Sequence, residues 1–151
     1  MVKYKEIHKN VFTMGDDYHL AHCIASDFGM GAGIAVQFQK KYSLRNKLKI
    51  HSKDWDTSPG TCCLIGKVFN LITKSRSYGK PTYASLESSL FNMKSIIDQF
   101  NEISFGSDKI SKIAMPKIGC GLDRLQWGKV KEMIHIIFGE DDIEIVVCNW
   151  K

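Results

Sequence analysis

Hydrophobic and polar positions divide the 151-residue chain into alternating strand-like and helix-like stretches. The clearest is helical. Tyr83, Leu86, Leu90, Met93, Ile97 and Phe100 recur three and four apart, which predicts a long helix with one core-facing stripe, opened at Pro81-Thr82. A second helix is predicted from about Leu125, with Trp127, Val130, Ile134 and Ile137 inward and Gly139 as its stop. A third carries Ile34, Phe38 and Tyr42 on one face. Compact apolar runs predict strands at 20–25, 62–65, 68–73, 110–115 and 143–148, with Gly66-Lys67 as a hairpin turn between the second and third. The mixed run from Tyr4 to Phe12 reads as a first strand at a sheet edge. The polar stretch from Ser43 to Thr61 predicts nothing regular beyond a turn at Pro59-Gly60. The order β, β, α, β, β, α, β, α, β is that of an α/β fold whose sheet is covered on both faces. The adjacent strand pairs make that sheet mixed rather than wholly parallel.

Length favours one domain spanning residues 1–151. A content of 44% hydrophobic and 25% charged residues fits a soluble globular chain. No apolar run reaches membrane-spanning length, and Met1–Glu6 starts no signal-peptide core, so intracellular residence, in nucleus or cytoplasm, is expected. The five cysteines, Cys23, Cys62, Cys63, Cys120 and Cys148, form no C-x-x-C pair, so zinc and thioredoxin-like chemistry are not indicated and reduced thiols are the expectation. His22, inside an apolar run, reads as a satisfied core histidine rather than a metal ligand. No set of metal ligands at working spacing occurs, and no cofactor is called for. The net charge of +5 favours anionic partners. The loose basic cluster from Lys40 to Lys53 reads as a solvated surface, so nucleic acid is not required.

Candidate chemistry collects at two glycine loops, each after a strand and each opening a helix. The first is Phe28-Gly29-Met30-Gly31-Ala32-Gly33-Ile34-Ala35. The second lies in Ile113–Trp127, where Pro116 ends strand pairing and Gly119 and Gly121 bracket Cys120 ahead of Asp123. Strand, glycine loop, acid and helix is the layout of an anion site, although glycines in an ordinary βα turn would look alike. Neither loop has the lysine-serine/threonine ending of a Walker loop or a dinucleotide fingerprint. Two such loops could grip a diphosphate from both sides. Lys74 closes a strand at the same end of the sheet, where ligands of such folds bind.

Five blocks together carry a resemblance: Leu20-Ala21-His22-Cys23-Ile24, Met30-Gly31-Ala32-Gly33-Ile34-Ala35-Val36, Leu71-Ile72-Thr73-Lys74, Lys80-Pro81-Thr82-Tyr83, and Met115 to Trp127. With this spacing the chain resembles a macrodomain, the three-layer α/β/α module that binds ADP-ribose. More narrowly it resembles the terminal ADP-ribose protein glycohydrolases, also described as O-acetyl-ADP-ribose deacetylases.

The resemblance implies that Lys74 attacks the anomeric carbon of the distal ribose and expels a modified Glu or Asp carboxylate. A lysyl-ADP-ribose adduct forms, and Asp123 resolves it by proton transfer. An amine nucleophile must be uncharged, which burial in a closed site favours. Gly31, Ala32, Gly33 and Ile34 would border the distal ribose and diphosphate. Lys117, Ile118, Gly119, Cys120, Gly121 and Leu122 would wrap the phosphates with backbone N–H groups. Val11 and Trp150 match positions near the adenosine end. The expected partners are ADP-ribose and ADP-ribosylated proteins, with no membrane, and a monomer is expected.

The chain departs from the family pattern at Lys9-Asn10, where an aspartate that accepts from the adenine amino group is common. The Asn10 carboxamide oxygen could still accept, without charge. Ala25 replaces a common serine. Two readings compete with the enzyme: a reader that binds ADP-ribose without turnover, and a basic nucleic-acid-binding domain. Released ADP-ribose separates the first from the enzyme, and salt-sensitive binding to random sequences would mark the second.

Overall fold

The computed structural model describes residues 1–121 and 123–150. Six strands form one sheet: β1 (Lys3–His8), β2 (His19–Ala25), β3 (Thr61–Ile65), β4 (Val68–Lys74), β5 (Lys112–Met115) and β6 (Glu144–Asn149), in the spatial order β1-β6-β5-β2-β4-β3. Every neighbouring pair is parallel except β3 with β4. The sheet is therefore mixed, and β1 lies at its edge as the polar alternation of its residues predicts.

Side-chain alternation divides the core into two layers. On β4, Phe69 and Leu71 face one side while Val68 and Ile72 face the other. On β6, Ile145 and Val147 oppose Val146 and Cys148 in the same way. The first layer is closed by α3 (Tyr83–Glu102) and α4 (Trp127–Phe138), which bring Leu86, Leu90, Met93, Val130 and Ile134 onto the sheet. The second is closed by α1 (Ile34–Tyr42) and α2 (Leu44–His51) through Phe38, Leu44 and Leu48, all fully buried. Two-sided burial is why the parallel strands read as continuous apolar runs.

α2 is the element that the polar composition of its segment hides. It is eight residues long and carries two buried leucines four apart among charges. Ser43 turns the chain between α1 and α2 in the left-handed region (φ 52°), and the Gln39 Oε1 accepts from the Arg45 N–H at 2.6 Å to start the new helix. Three other expectations change. Val11–Thr13 forms a 3-10 turn instead of extending β1. Phe100 sits at the solvent margin of the α3 stripe, 37% exposed. Gly139 ends α4 in right-handed geometry (φ −54°), and a Cβ there would lie 2.4 Å from the His135 carbonyl oxygen. Close approach, not a left-handed turn, is what requires that glycine.

His22 and Asn70 are the buried polar pair of the second layer. The Asn70 Nδ2 donates to the carbonyls of Cys63 and Val68, both at 3.1 Å, which orients the amide. Its oxygen then faces His22 Nε2 at 2.6 Å, so Nε2 carries the proton. Nδ1 is left without a partner, so the histidine is half satisfied. Its ring stacks on Phe38 with centroids 4.0 Å apart.

Candidate active site

β2, β4, β5 and β6 run parallel, so their carboxyl ends share one edge of the sheet. The loops 26–33, 75–82 and 116–126 leave from that edge and enclose a cleft of about 680 Å³.

One wall is the first glycine loop, where Gly31, Ala32, Gly33 and Ile34 all line the cleft. Gly33 precedes α1 at φ 62°, a conformation that costs glycine nothing. No side chain caps α1, and the Val36 N–H bonds the Gly33 carbonyl at 3.3 Å, which leaves the N–H groups of Ile34 and Ala35 to an anion. The facing wall is the second glycine loop. Lys117, Ile118, Gly119 and Gly121 line it. Gly119 has φ 75°, and a Cβ there would stand 3.0 Å from the Leu125 Cδ1. The Gly119 carbonyl accepts from the Leu125 N–H at 2.7 Å, which folds the loop back on itself. Gly31 and Gly121 have open space where a side chain would project, which keeps the walls bare.

Cys120 is not among the residues that line the cleft. Its thiol donates to the Ile118 carbonyl at 3.3 Å and packs on the core. Leu122 lies outside the described residues.

Between the walls, Lys74 Nζ donates to Asp123 Oδ1 at 2.7 Å, with the two side chains 15% and 16% exposed. These residues are 49 positions apart in the chain. A bulge pairs Ala25 with Lys74 rather than Thr73, and it twists the strand end that presents the lysine. The Ser26 N–H donates to the Lys74 carbonyl at 2.8 Å and anchors that strand end. Asp123 does not cap α4, whose N-cap position is held by Gln126.

A smaller recess of about 290 Å³ adjoins the cleft, and Ile34, Pro116 and Trp150 border both. Val11 closes it from below and is itself buried. Trp150 presents an exposed indole over it, 5.3 Å from the His8 ring. The Asn10 Oδ1 is already committed, accepting from the Phe12 N–H at 3.0 Å to cap the 3-10 turn.

The cleft offers no thiolate. Burial first, then the charges of Asp123 and Cys120, push Cys23 up to about 12. Burial also raises Cys120, against the pull of Lys117. All five cysteines are free. Among the described residues no group of His, Cys, Asp and Glu side chains could hold a metal ion. No helix among them is long and apolar enough to cross a membrane.

Ser77, Tyr78, Gly79 and Lys80 also line the cleft, and sequence reasoning assigned none of them a role in the site. The signals were position, directly after the strand-ending lysine, and for Lys80 its place in one of the resemblance blocks.

No protein-family model matches the chain. It is 41% identical over 132 residues to the human ADP-ribose glycohydrolase OARD1, an alignment that covers 85% of this chain and 79% of that protein. Among solved structures, the macrodomain of Mycobacterium tuberculosis DarG superposes with a TM-score of 0.80 at 20% identity, covering 99% of this chain and 97% of that one. Thermosipho africanus DarTG, solved in complex with ADP-ribose, superposes with a TM-score of 0.77 at 15% identity over 99% of this chain and 42% of that one. With this fold, and two-fifths of its aligned residues in common with the human enzyme, the chain belongs to the macrodomain family, in the subclass of the ADP-ribose glycohydrolase OARD1.

Proposed function

We propose that this protein is a hydrolase that releases ADP-ribose from acidic side chains of modified proteins through a lysyl-ADP-ribose intermediate. O-acetyl-ADP-ribose is a second substrate, with acetate as the leaving carboxylate. The observation that carries the reading is the contact of Lys74 with Asp123 between two bare glycine walls. The human relative's name as a glycohydrolase and the ADP-ribose held by the Thermosipho neighbour support it.

The chemistry follows from the pair. Lys74 passes a proton to Asp123 across their hydrogen bond and attacks the anomeric carbon as a free amine. The bond from that carbon to the carboxylate oxygen breaks, and its electron pair leaves with the carboxylate, which Asp123 protonates. Asp123 is then a base again. It takes a proton from a water that attacks the same carbon, and the lysine nitrogen departs with its electron pair. A return proton transfer restores the starting pair. Throughout, the α1 N-terminus and the 117–121 backbone hold the diphosphate, and at the onset of the second displacement the ionised Asp123 carboxylate stabilises positive charge on the sugar. Trp150 stacks on adenine.

Intact-mass analysis with a glutamate-linked ADP-ribosylated peptide tests the whole scheme. Wild type is expected to release ADP-ribose, Lys74→Ala to release none while still binding it, and Asp123→Ala, in which Lys74 loses its base, to form slowly an adduct that maps to Lys74 and is not resolved. Unchanged substrate with wild type at high concentration would instead make the chain a reader.

A further inference from the structure

The first glycine loop is built as a rigid jaw. Phe28 and Met30 both have positive φ, 56° and 44°, a backbone conformation that strains a non-glycine residue. Both side chains are nevertheless buried in the second core layer. Arg45 on α2 locks the outer face of the same turn, donating from Nε to the Phe28 carbonyl at 3.0 Å and from a terminal nitrogen to the Gly29 carbonyl. Backbone strain held by burial and a fork of donors points to a position that must not move.

What this jaw grips is the loop after Lys74. The Asp27 carboxylate accepts from the Ser77 N–H at 2.8 Å and from the Ser77 hydroxyl at 2.6 Å, and it accepts from its own Gly29 N–H at 2.9 Å. Burial pulls the Asp27 carboxyl upward, but these hydrogen bonds and the nearby Arg76 outweigh it and hold it below the usual range. The approach is close enough to require a glycine: a Cβ on Gly29 would fall 1.8 Å from the Ser77 Oγ and 2.9 Å from its Cβ. Two loops that leave different strands are thus clasped beside the cleft, and Ser77, Tyr78, Gly79 and Lys80 form a cleft wall on one of them.

We infer that Asp27 is a positioning residue of this site, clasping the 75–80 loop to the first glycine loop so that the wall beside Lys74 is preformed for substrate. The inference rests on the proposed hydrolase reading. It assigns Asp27 no contact with the reacting atoms. Lys74 is anchored separately, by Ser26 and Asp123. Breaking the clasp therefore removes binding that substrate and transition state share, which raises KM and leaves kcat in place.

The test uses Asp27→Ala, Asp27→Asn, Ser77→Gly, Gly29→Ala and the double variant Gly29→Ala/Ser77→Gly, each followed by hydrolysis kinetics and amide hydrogen exchange. Asp27→Ala and Gly29→Ala are expected to raise KM about three- to tenfold, the scale of one or two exposed charge-assisted hydrogen bonds, with kcat within about twofold. Asp27→Asn, which keeps one acceptor oxygen, should recover part of the loss. The double variant should fall close to Ser77→Gly alone, because removing the Ser77 side chain removes the two shortest contacts and leaves only the Asp27 Oδ1 at 3.2 Å. Exchange at 75–80 should speed up in Asp27→Ala while the core strands stay protected. Unchanged KM in Asp27→Ala, or a fall in kcat at constant KM, overturns the inference, as does unchanged exchange at 75–80. Should wild type release no ADP-ribose, the hydrolase reading fails, and the exchange measurement still decides whether the clasp exists.

Discussion

The buried imidazole of His22 makes the acid stability of this protein predictable. Two features keep it neutral in the folded chain. Burial withdraws it from water, and the proton that would charge it must go to Nδ1, which has no acceptor. Burial pushes it down to about 4 from 6.5, against the Asn70 hydrogen bond, which favours the charged form. Above pH 6.5 the imidazole is neutral in both folded and unfolded chains, and its contribution to stability is fully present. As pH falls through 6.5 the unfolded chain takes up a proton that the fold refuses, so stability declines until the folded imidazole also titrates near 4. At about 1.4 kcal/mol per pH unit this amounts to roughly 3 kcal/mol, a large share of the 5–15 kcal/mol typical of a domain. Urea unfolding followed by tryptophan fluorescence, from pH 7.5 to pH 4, measures it. Carboxylates titrate over the same range, so the comparison is with His22→Gln, which keeps a donor for Asn70 but cannot titrate. The variant should start less stable at pH 7.5 and lose about 3 kcal/mol less than wild type on acidification. Parallel losses in the two proteins would refute the reasoning.

Other outcomes follow from single features of the structure. Thr82→Ala removes the side chain that accepts from the Ser85 N–H and should destabilise α3 by about 1 kcal/mol, read as a lower urea midpoint at unchanged slope. Gly119→Ala should cost about 1–3 kcal/mol, because it combines a left-handed position with contact on Leu125, and should weaken ADP-ribose binding in calorimetry as the loop shifts. Trp150→Ala should weaken that binding about three- to tenfold, the worth of one aromatic stack, and leave turnover at saturating substrate unchanged. Native-state alkylation at pH 7.5 should be slow at Cys23, whose thiol stays protonated, and fast only after unfolding.

Much of the fold was legible in the sequence because its signals are local. The α3 stripe is periodic through most of a 20-residue helix, and Thr82 announces its start. The inner strands are apolar on both faces because helices cover both, so they stand out as uninterrupted runs. What stayed hidden had no local signal. α2 exists because Leu44 and Leu48 find the second core layer, which their polar neighbours do not reveal. The role of Asn10 changed because its oxygen turned inward to cap its own turn, an orientation that composition leaves open.

The candidate site divides in the same way. The glycine loops, the strand-ending lysine and the acid after Gly121 are readable one by one, since each depends on a few consecutive residues. Their meeting is not. Lys74 and Asp123 lie 2.7 Å apart because β4 and the loop after β5 end at the same edge of a parallel sheet, with β2 between the two strands. The clasp of Asp27 on Ser77 joins residues 50 positions apart for the same reason. The order of residues is enough to say which groups are present and which elements carry them. Which groups touch emerges on folding, because contact across the sheet is set by strand order and register, and both depend on the packing of the whole chain.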